Sequence, residues 1–391
     1  MTDLINGLKV IDADTHVVEP YDLWTSRISV KRWGDLVPHI LRDSESGKDM
    51  WVAGDTPLGL AGAPAQAGYS QYPPDCPPTL MDADPATWDP NHRLKRMDQA
   101  GVYAQILYPN VAGMGTGNFS AMQDPELMLA CVRAYNDFLT DFASTAPNRF
   151  IPISALPFWD IQTTLEEMQR CVEMGHRGVI FSAQPESWGQ PWLTDPHWNP
   201  IWAQAQEMSL PINFHIASGP IDLAAYEGNG RHANYARLAT LLFMGNARAI
   251  VDVIIGGICH RFPALNFVSV ESGVSWIPFV LQALDWQWRN FGAHLEHPDF
   301  DLLPSEYFRR QVYGCFWFER GESLRAALDC LGPDNILYES DFPHPTCMSP
   351  GPATEAVEPR EYITRELVPL VSPDVLRKLV HDNATRVYNL P

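Results

Sequence analysis

Basic residues are scarce in this chain. Lys and Arg number 27 against 47 Asp and Glu, a formal net charge of −20. Such a field repels phosphate, so nucleic acid and anionic membrane are excluded as partners. The seven cysteines are widely spaced, odd in number and never C-x-x-C, which excludes a disulfide framework and a thiolate zinc site and fits a reduced, cytoplasmic setting. There is no charged-then-apolar leader at the N-terminus, and no run of about 18 apolar residues is expected to span a bilayer. A G-x-S-x-G elbow and a P-loop are also lacking, which argues against a serine hydrolase or an NTPase.

What is present is a chain of 391 residues, 46% hydrophobic and 19% charged, enough for one large core. Short apolar runs predict strands at Lys9–Asp12, Tyr103–Tyr108, Phe150–Ala155, Gly178–Ser182, Ile212–Ile216, Asn266–Val270, Gln311–Cys315 and Asn335–Glu339. Between them, helical patterns cover Asn91–Ala100, Pro125–Thr145, Ile161–Met174, Asn199–Ser209, Tyr235–Cys259, Ser275–Phe291 and Glu322–Leu331. Eight strands alternating with helices predict an α/β fold, a distorted (β/α)8 TIM barrel closed by C-terminal helices. The whole of 1–391 reads as a single domain. Residues 25–90, rich in Pro, Gly and Trp, read as a small folded insertion after strand 1 that caps the barrel mouth. A second Pro-rich stretch runs from Thr346 to Pro359. Gly113, Gly115 and Gly117 match a nucleotide fingerprint poorly and are expected in a flexible βα loop.

Chemistry-bearing residues gather at predicted strand ends. Asp14 and His16 close the first strand, two apart and therefore on one face. The C-terminal face of a barrel is where ligands and catalytic groups sit. His215 ends the fifth strand, before a Gly219-Pro220 turn. Glu271 ends the sixth, as a buried carboxylate needing a cation or as a cap for the next helix. Asp341 ends the eighth, as ligand or general base, with His344 three residues on as a substrate-orienting group or second-metal ligand. Glu339 alternates with Asp341 and faces either inward or into the outer packing. Candidates for an apolar pocket lining are Trp24, Trp51, Trp88, Trp188, Trp192, Trp276 and Trp317, and Arg177 and Arg320 are candidates to hold a substrate carboxylate.

The segments IDADTHVVEP, RMDQAGVYAQILYP, FPALNFVSVESGVSWIPFVL, ILYESDFPHP and DNATRVYNL resemble the amidohydrolase superfamily. The likeness is to its amidohydrolase-related branch, which holds the aminocarboxymuconate semialdehyde and resorcylate decarboxylases. The insertion is the part it covers least. The resemblance implies one metal on Asp14, His16, His215 and Asp341. It also implies a catalytic His at the end of strand six, where this chain has Glu271, and strand four offers no Lys for a carbamate bridge. The ligand pattern resembles dinuclear non-haem iron or iron–manganese hydroxylases of the branch. On that likeness Glu271 bridges or binds a second metal, with His344 beside it, and Asp341, Glu271 and His344 carry the catalysis.

The expectation is a metal-dependent enzyme with Fe and/or Mn, or alternatively Zn. Dioxygen-dependent hydroxylation of a small organic acid or amino acid is placed first. A metal-dependent hydrolase or decarboxylase acting on a small carboxylate is the alternative, and a non-catalytic scaffold subunit comes last. A homo- or hetero-oligomer with a homologous barrel subunit is expected as the assembled form.

Overall fold

The computed structural model describes residues 7–120, 122–219 and 227–391. Pro220 of the expected turn and the first six residues lie outside these. The first barrel strand is β1 (Val10–His16). Three strands of the insertion follow: β2 (His39–Arg42), β3 (Asp49–Ala53) and β4 (Thr56–Leu60). The other barrel strands are β5 (Val102–Tyr108), β6 (Phe150–Pro152), β7 (Val179–Ile180), β8 (Ile212–His215), β9 (Phe267–Val270), β10 (Val312–Phe316) and β11 (Ile336–Tyr338). Each barrel strand overlaps one of the expected runs, with β1 continuing past the expected end at Asp12 to His16. Strands buried on both faces have near-continuous apolar sequences, because inner and outer layers both exclude water.

The barrel strands pair in parallel as two arcs, β1-β5-β6 and β7 through β11 in order. Single bridges join the arcs where ladders would otherwise run. At one seam Ser154 pairs with Val179; at the other Thr15 pairs with Phe342. The second seam carries His16 N–H to Phe342 O (2.7 Å) and Asp341 N–H to Asp14 O (3.0 Å). Ser340 N–H adds a bond to the buried Asp12 carboxylate (2.7 Å). The barrel is thus distorted at the two places where β1 meets β11 and β6 meets β7. Its interior is filled by Ile11, Ala13, Ile106, Ile153, Val268 and Leu337, a packed core with no pore.

Aspartate N-caps start several helices: Asp89 before Pro90–Ala100, Asp124 before Pro125–Ser144 and Asp160 before Ile161–Glu173. The expected helix Tyr235–Cys259 is broken. Its first part is Arg231–Phe243 and its second Asn246–Ile255, with a turn at Met244 and Gly245. By length and composition alone, Arg231–Ile255 is apolar enough to cross a bilayer, although Asn246, Arg248 and Asp252 interrupt its apolar run. The second half spends its apolar residues on the core, burying Ala249, Ile250, Val253 and Ile254.

Strands β2-β3-β4 form an antiparallel sheet. The buried Arg93 joins the end of the 25–90 segment to the barrel. Its guanidinium donates to Ala86 O and Thr87 O, to His16 O on β1 and to Gln105 Oε1 on β5. The glycine-rich stretch after β5 is a close-packed turn. Gly115 has φ +122°, and a Cβ on Gly117 would meet the Trp188 indole at 2.2 Å, so these glycines answer close approach more than flexibility.

Candidate metal centre

The six side chains singled out at strand ends are brought together at the C-terminal end of the barrel. Their donor atoms form two overlapping groups, Asp14–His16–His215–Glu271 and His16–Glu271–Asp341–His344, each with all atoms within 4.8 Å. All but His344 are fully or almost fully buried. Asp14 and His16 lie on β1 and His215 is the last residue of β8. Glu271 and Asp341 each follow a strand end in the left-handed region, with φ of +54° and +55°. Non-glycine residues rarely adopt that conformation, and such strain concentrates at functional sites. Here it turns each carboxylate inward off its strand axis.

The imidazoles are oriented from outside. His16 Nδ1–H donates to Pro109 O (3.0 Å), and His215 Nδ1–H to Ile216 O (2.9 Å). Each neutral ring therefore presents a lone pair at Nε2, and these two atoms are 3.1 Å apart. They sit 3.4 and 3.5 Å from the Asp14 oxygens, and His215 Nε2 is 3.4 Å from Glu271 Oε2. Both Asp14 oxygens and Asp341 Oδ1 are buried and accept no hydrogen bond. Converging lone pairs around orphaned carboxylate oxygens repel one another unless a cation lies between them. The donor set of imidazole nitrogen and carboxylate oxygen suits Mn, Fe or Zn, so the residues fit a divalent metal.

The charges are strongly coupled. Burial pushes Asp14 up, but His215 and His16 outweigh it and hold Asp14 well below the usual carboxylate range. Burial, helped by His344, brings His16 down to about 4, so its neutral ligand form is favoured. His215 is raised against its burial by Asp14. Burial, together with Asp341, Asp14 and Glu339, drives Glu271 well above the ordinary range, towards the protonated acid. Glu339 faces inward and is pushed the same way, chiefly by burial; its Oε2 accepts Glu271 N–H at 3.1 Å.

Glu271 is no helix cap. The helix Ile277–Asn290 begins further on, and the carboxylate that accepts from Val274 N–H and Ser275 N–H is Glu319. Thr346, which sequence reasoning passed over, donates its hydroxyl to Asp341 Oδ2 and lies 3.3 Å from Glu271 Oε1. Its only signal was its place just beyond His344 in a Pro-rich stretch.

A cavity of about 290 Å³ opens onto these donors. His215, Glu271, His344, Asn110 and Thr346 form its polar floor. Its walls include Trp51, Leu58 and Leu60 of the insertion, with Met114, Tyr235 and Phe243. Of the seven tryptophans proposed for a pocket, only Trp51 lines it among the described residues; Trp192 is exposed on the surface, and the others are buried or half-buried elsewhere. Neither Arg177 nor Arg320 reaches it. Arg320 lines a neighbouring cavity with Arg365, beyond Pro345 and Thr346. No Lys or Arg lines the main cavity among the described residues, and residues 220–226, outside them, contain neither.

A barrel with such a centre at its C-terminal face is the pattern of metal-dependent hydrolases and lyases. The amidohydrolase family model matches residues 11–390, and the chain belongs to that family. The 2-amino-3-carboxymuconate-6-semialdehyde decarboxylase of Dictyostelium discoideum is 25% identical over 295 residues, 73% of this chain and 76% of its own. An amidohydrolase of Mycobacterium avium subsp. paratuberculosis K-10 shares the fold with a TM-score of 0.74 and 23% identity, covering 98% of this chain and 99% of that one. The 5-carboxyvanillate decarboxylase of Novosphingobium aromaticivorans DSM 12444, solved with manganese and a nitrobenzoic acid, has a TM-score of 0.66 at 16% identity, covering 98% and 97%. The chain is a metal-dependent enzyme of this family, and its centre is built for a divalent cation.

Proposed function

We propose that this enzyme is a metal-dependent decarboxylase of a small, flat carboxylic acid, with Glu271 as the proton donor to carbon. The hydroxylation expected first from the ligand pattern is not supported by the Dictyostelium discoideum relative or the manganese-bound structure, both of which are decarboxylases. The objection from sequence was that a carboxylate cannot replace an imidazolium acid. That objection assumes an ionised Glu271, and its burial beside Asp341 and Asp14 favours the neutral carboxylic acid.

The observation that carries this reading is the place of Glu271, a buried carboxyl on the floor of an apolar-walled cavity, against the donor cluster. Asp14, Asp341 and a divalent cation sum to zero once Glu271 holds a proton. A bound cation would supply positive charge to a substrate carboxylate in a cavity that, among the described residues, no Lys or Arg lines. Trp51, Tyr235 and Phe243 offer apolar faces for a planar ring. Glu271 would give its proton to the carbon that bears the carboxylate. The carbon–carboxylate bond then breaks, its electron pair returns to the ring and CO2 leaves. Glu271 regains a proton from water, so the net change replaces CO2 with H⁺.

The test is to incubate the manganese-loaded enzyme with a panel of hydroxybenzoic acids in D2O. CO2 release with deuterium at the vacated carbon is expected. Dioxygen consumption with a hydroxylated product, and no CO2, would overturn the reading. One observation favours that second possibility: Glu271 belongs to both four-residue donor groups, and a carboxylate with two oxygens can be shared by two metals, whereas His16 has a single free nitrogen and can serve only one. Two metals per chain with dioxygen uptake would establish it.

A further inference from the structure

His344 is the least buried of the six residues, and it stands on a loop. Its ring is nonetheless held firmly. It stacks on His16 with ring centroids 3.7 Å apart. Its Nε2 lies 2.8 Å from Asn110 Oδ1, and its Nδ1 lies 2.9 Å from Asp341 Oδ1 and 3.9 Å from Glu271 Oε2. We propose that Glu19 and Asn110 form a positioning relay that fixes His344 with Nε2 protonated and Nδ1 unprotonated and facing the donor cluster, so that His344 binds the metal.

The amide of Asn110 leaves one orientation open. Its NH2 group has two acceptors, Val17 O at 3.0 Å and Glu19 Oε2 at 3.2 Å. Reversing it would set the amide oxygen against both. Glu19 is fully buried and held in turn by Asn110 N–H (2.8 Å) and Val111 N–H (3.0 Å) on Oε1. All of these contacts donate to Glu19, so it acts as an acceptor-only carboxylate. Asn110 Oδ1 must then face His344, and an acceptor there requires His344 Nε2 to carry the proton. The lone pair at Nδ1 is left against a carboxylate oxygen at 2.9 Å, an arrangement that a cation relieves.

The same loop serves two rings, since Pro109 O holds His16 and Asn110 Oδ1 holds His344. Carboxylates and carbonyls behind a ligating imidazole fix its tautomer and raise its basicity. Here the carboxylate acts through an amide spacer. The relay rests on the metal centre and not on the reaction it performs, and its test needs no substrate.

Affinity for Zn²⁺ alone is measured by chelator competition on the metal-free full chain, with wild type, Glu19→Gln and Asn110→Ala. The amide introduced by Glu19→Gln would set an NH2 group against the NH2 of Asn110 and unseat the relay. Metal binding weaker by about 10–100-fold is expected in both variants. Unchanged affinity in the folded variants would overturn the relay, even if their melting temperatures fall, because a purely structural role predicts that pattern. If neither variant folds, ¹⁵N NMR of wild-type His344 decides. Protonated Nε2 with metal-bound Nδ1 is expected, and the reverse tautomer, or a free Nδ1 in the zinc form, contradicts the proposal.

Discussion

The two halves of the donor set are built differently. Asp14, His16 and His215 sit within strands at ordinary negative φ, although the ladder from β1 to β5 shifts register between Asp12 and Thr15, and both rings lean on backbone carbonyls. Glu271 and Asp341 sit just past strand ends with positive φ, held by Glu339, by Asp14 O and by the Thr346 hydroxyl. His344 follows on a loop. The strand-borne half needs no left-handed backbone, and its rings are oriented by the protein itself. In the other half, Glu271 and Asp341 each store about 1–2 kcal/mol of backbone strain, as expected where the side chain is required for chemistry more than for stability.

The largest effect should come from the strand-borne half. His215→Ala should abolish metal binding and turnover while leaving the fold intact, checked by elemental analysis and circular dichroism. Full metal occupancy in that variant would remove His215 from the ligand set. Glu271→Gln is the next largest. The proposed acid role predicts a loss of about 10²–10⁴ in kcat, with little change in metal content. Loss of one of two metals would move Glu271 from acid to ligand. The same role gives a pH dependence, since the protonated form is active. Turnover in the wild type should fall as pH rises through the elevated pKa of Glu271, and a rate that rises with pH there contradicts the role.

Smaller effects sharpen the contrast in strain. Glu271→Gly relieves a positive φ and removes a buried carboxyl. The metal-free protein should gain about 1 kcal/mol or more in urea unfolding while losing activity. A loss of stability would mean that Glu271 is not strained. Asp12, buried behind the cluster, is pushed up to about 7, chiefly by burial. Its unfolded value is near 4, so the native state holds the proton more tightly. Its contribution is full below about pH 4 and is lost as pH rises through about 7. Asp12→Asn should flatten the decline in melting temperature between about pH 5 and 8; an unchanged slope would place that decline elsewhere.

The barrel was legible because its strands are short apolar runs separated by turn residues, and burial on both faces leaves that mark on sequence. The broken helix was not, since Met244 and Gly245 look like ordinary members of an apolar run. At the site, ionisable residues at strand ends announced themselves by type and position. Glu19, Asn110 and Thr346 did not, although Glu19 lies within IDADTHVVEP and Asn110 directly follows RMDQAGVYAQILYP. Their importance lies in hydrogen bonds between distant segments, 91 residues apart for Glu19 and Asn110, and no periodicity records such pairs. The tryptophans misled for the opposite reason: their size suits a pocket wall and a core equally, and most went to the core.

On the proposed reading, the chemistry of this site depends on a divalent metal held by these strand ends. Elemental analysis is the direct check, on the chain purified without chelators from cells supplied with iron, manganese and zinc, and run beside His215→Ala. About one divalent metal per chain is expected in the wild type and almost none in the variant. No metal in the wild type after reconstitution, or equal metal in both proteins, would contradict a metal centre built on His215.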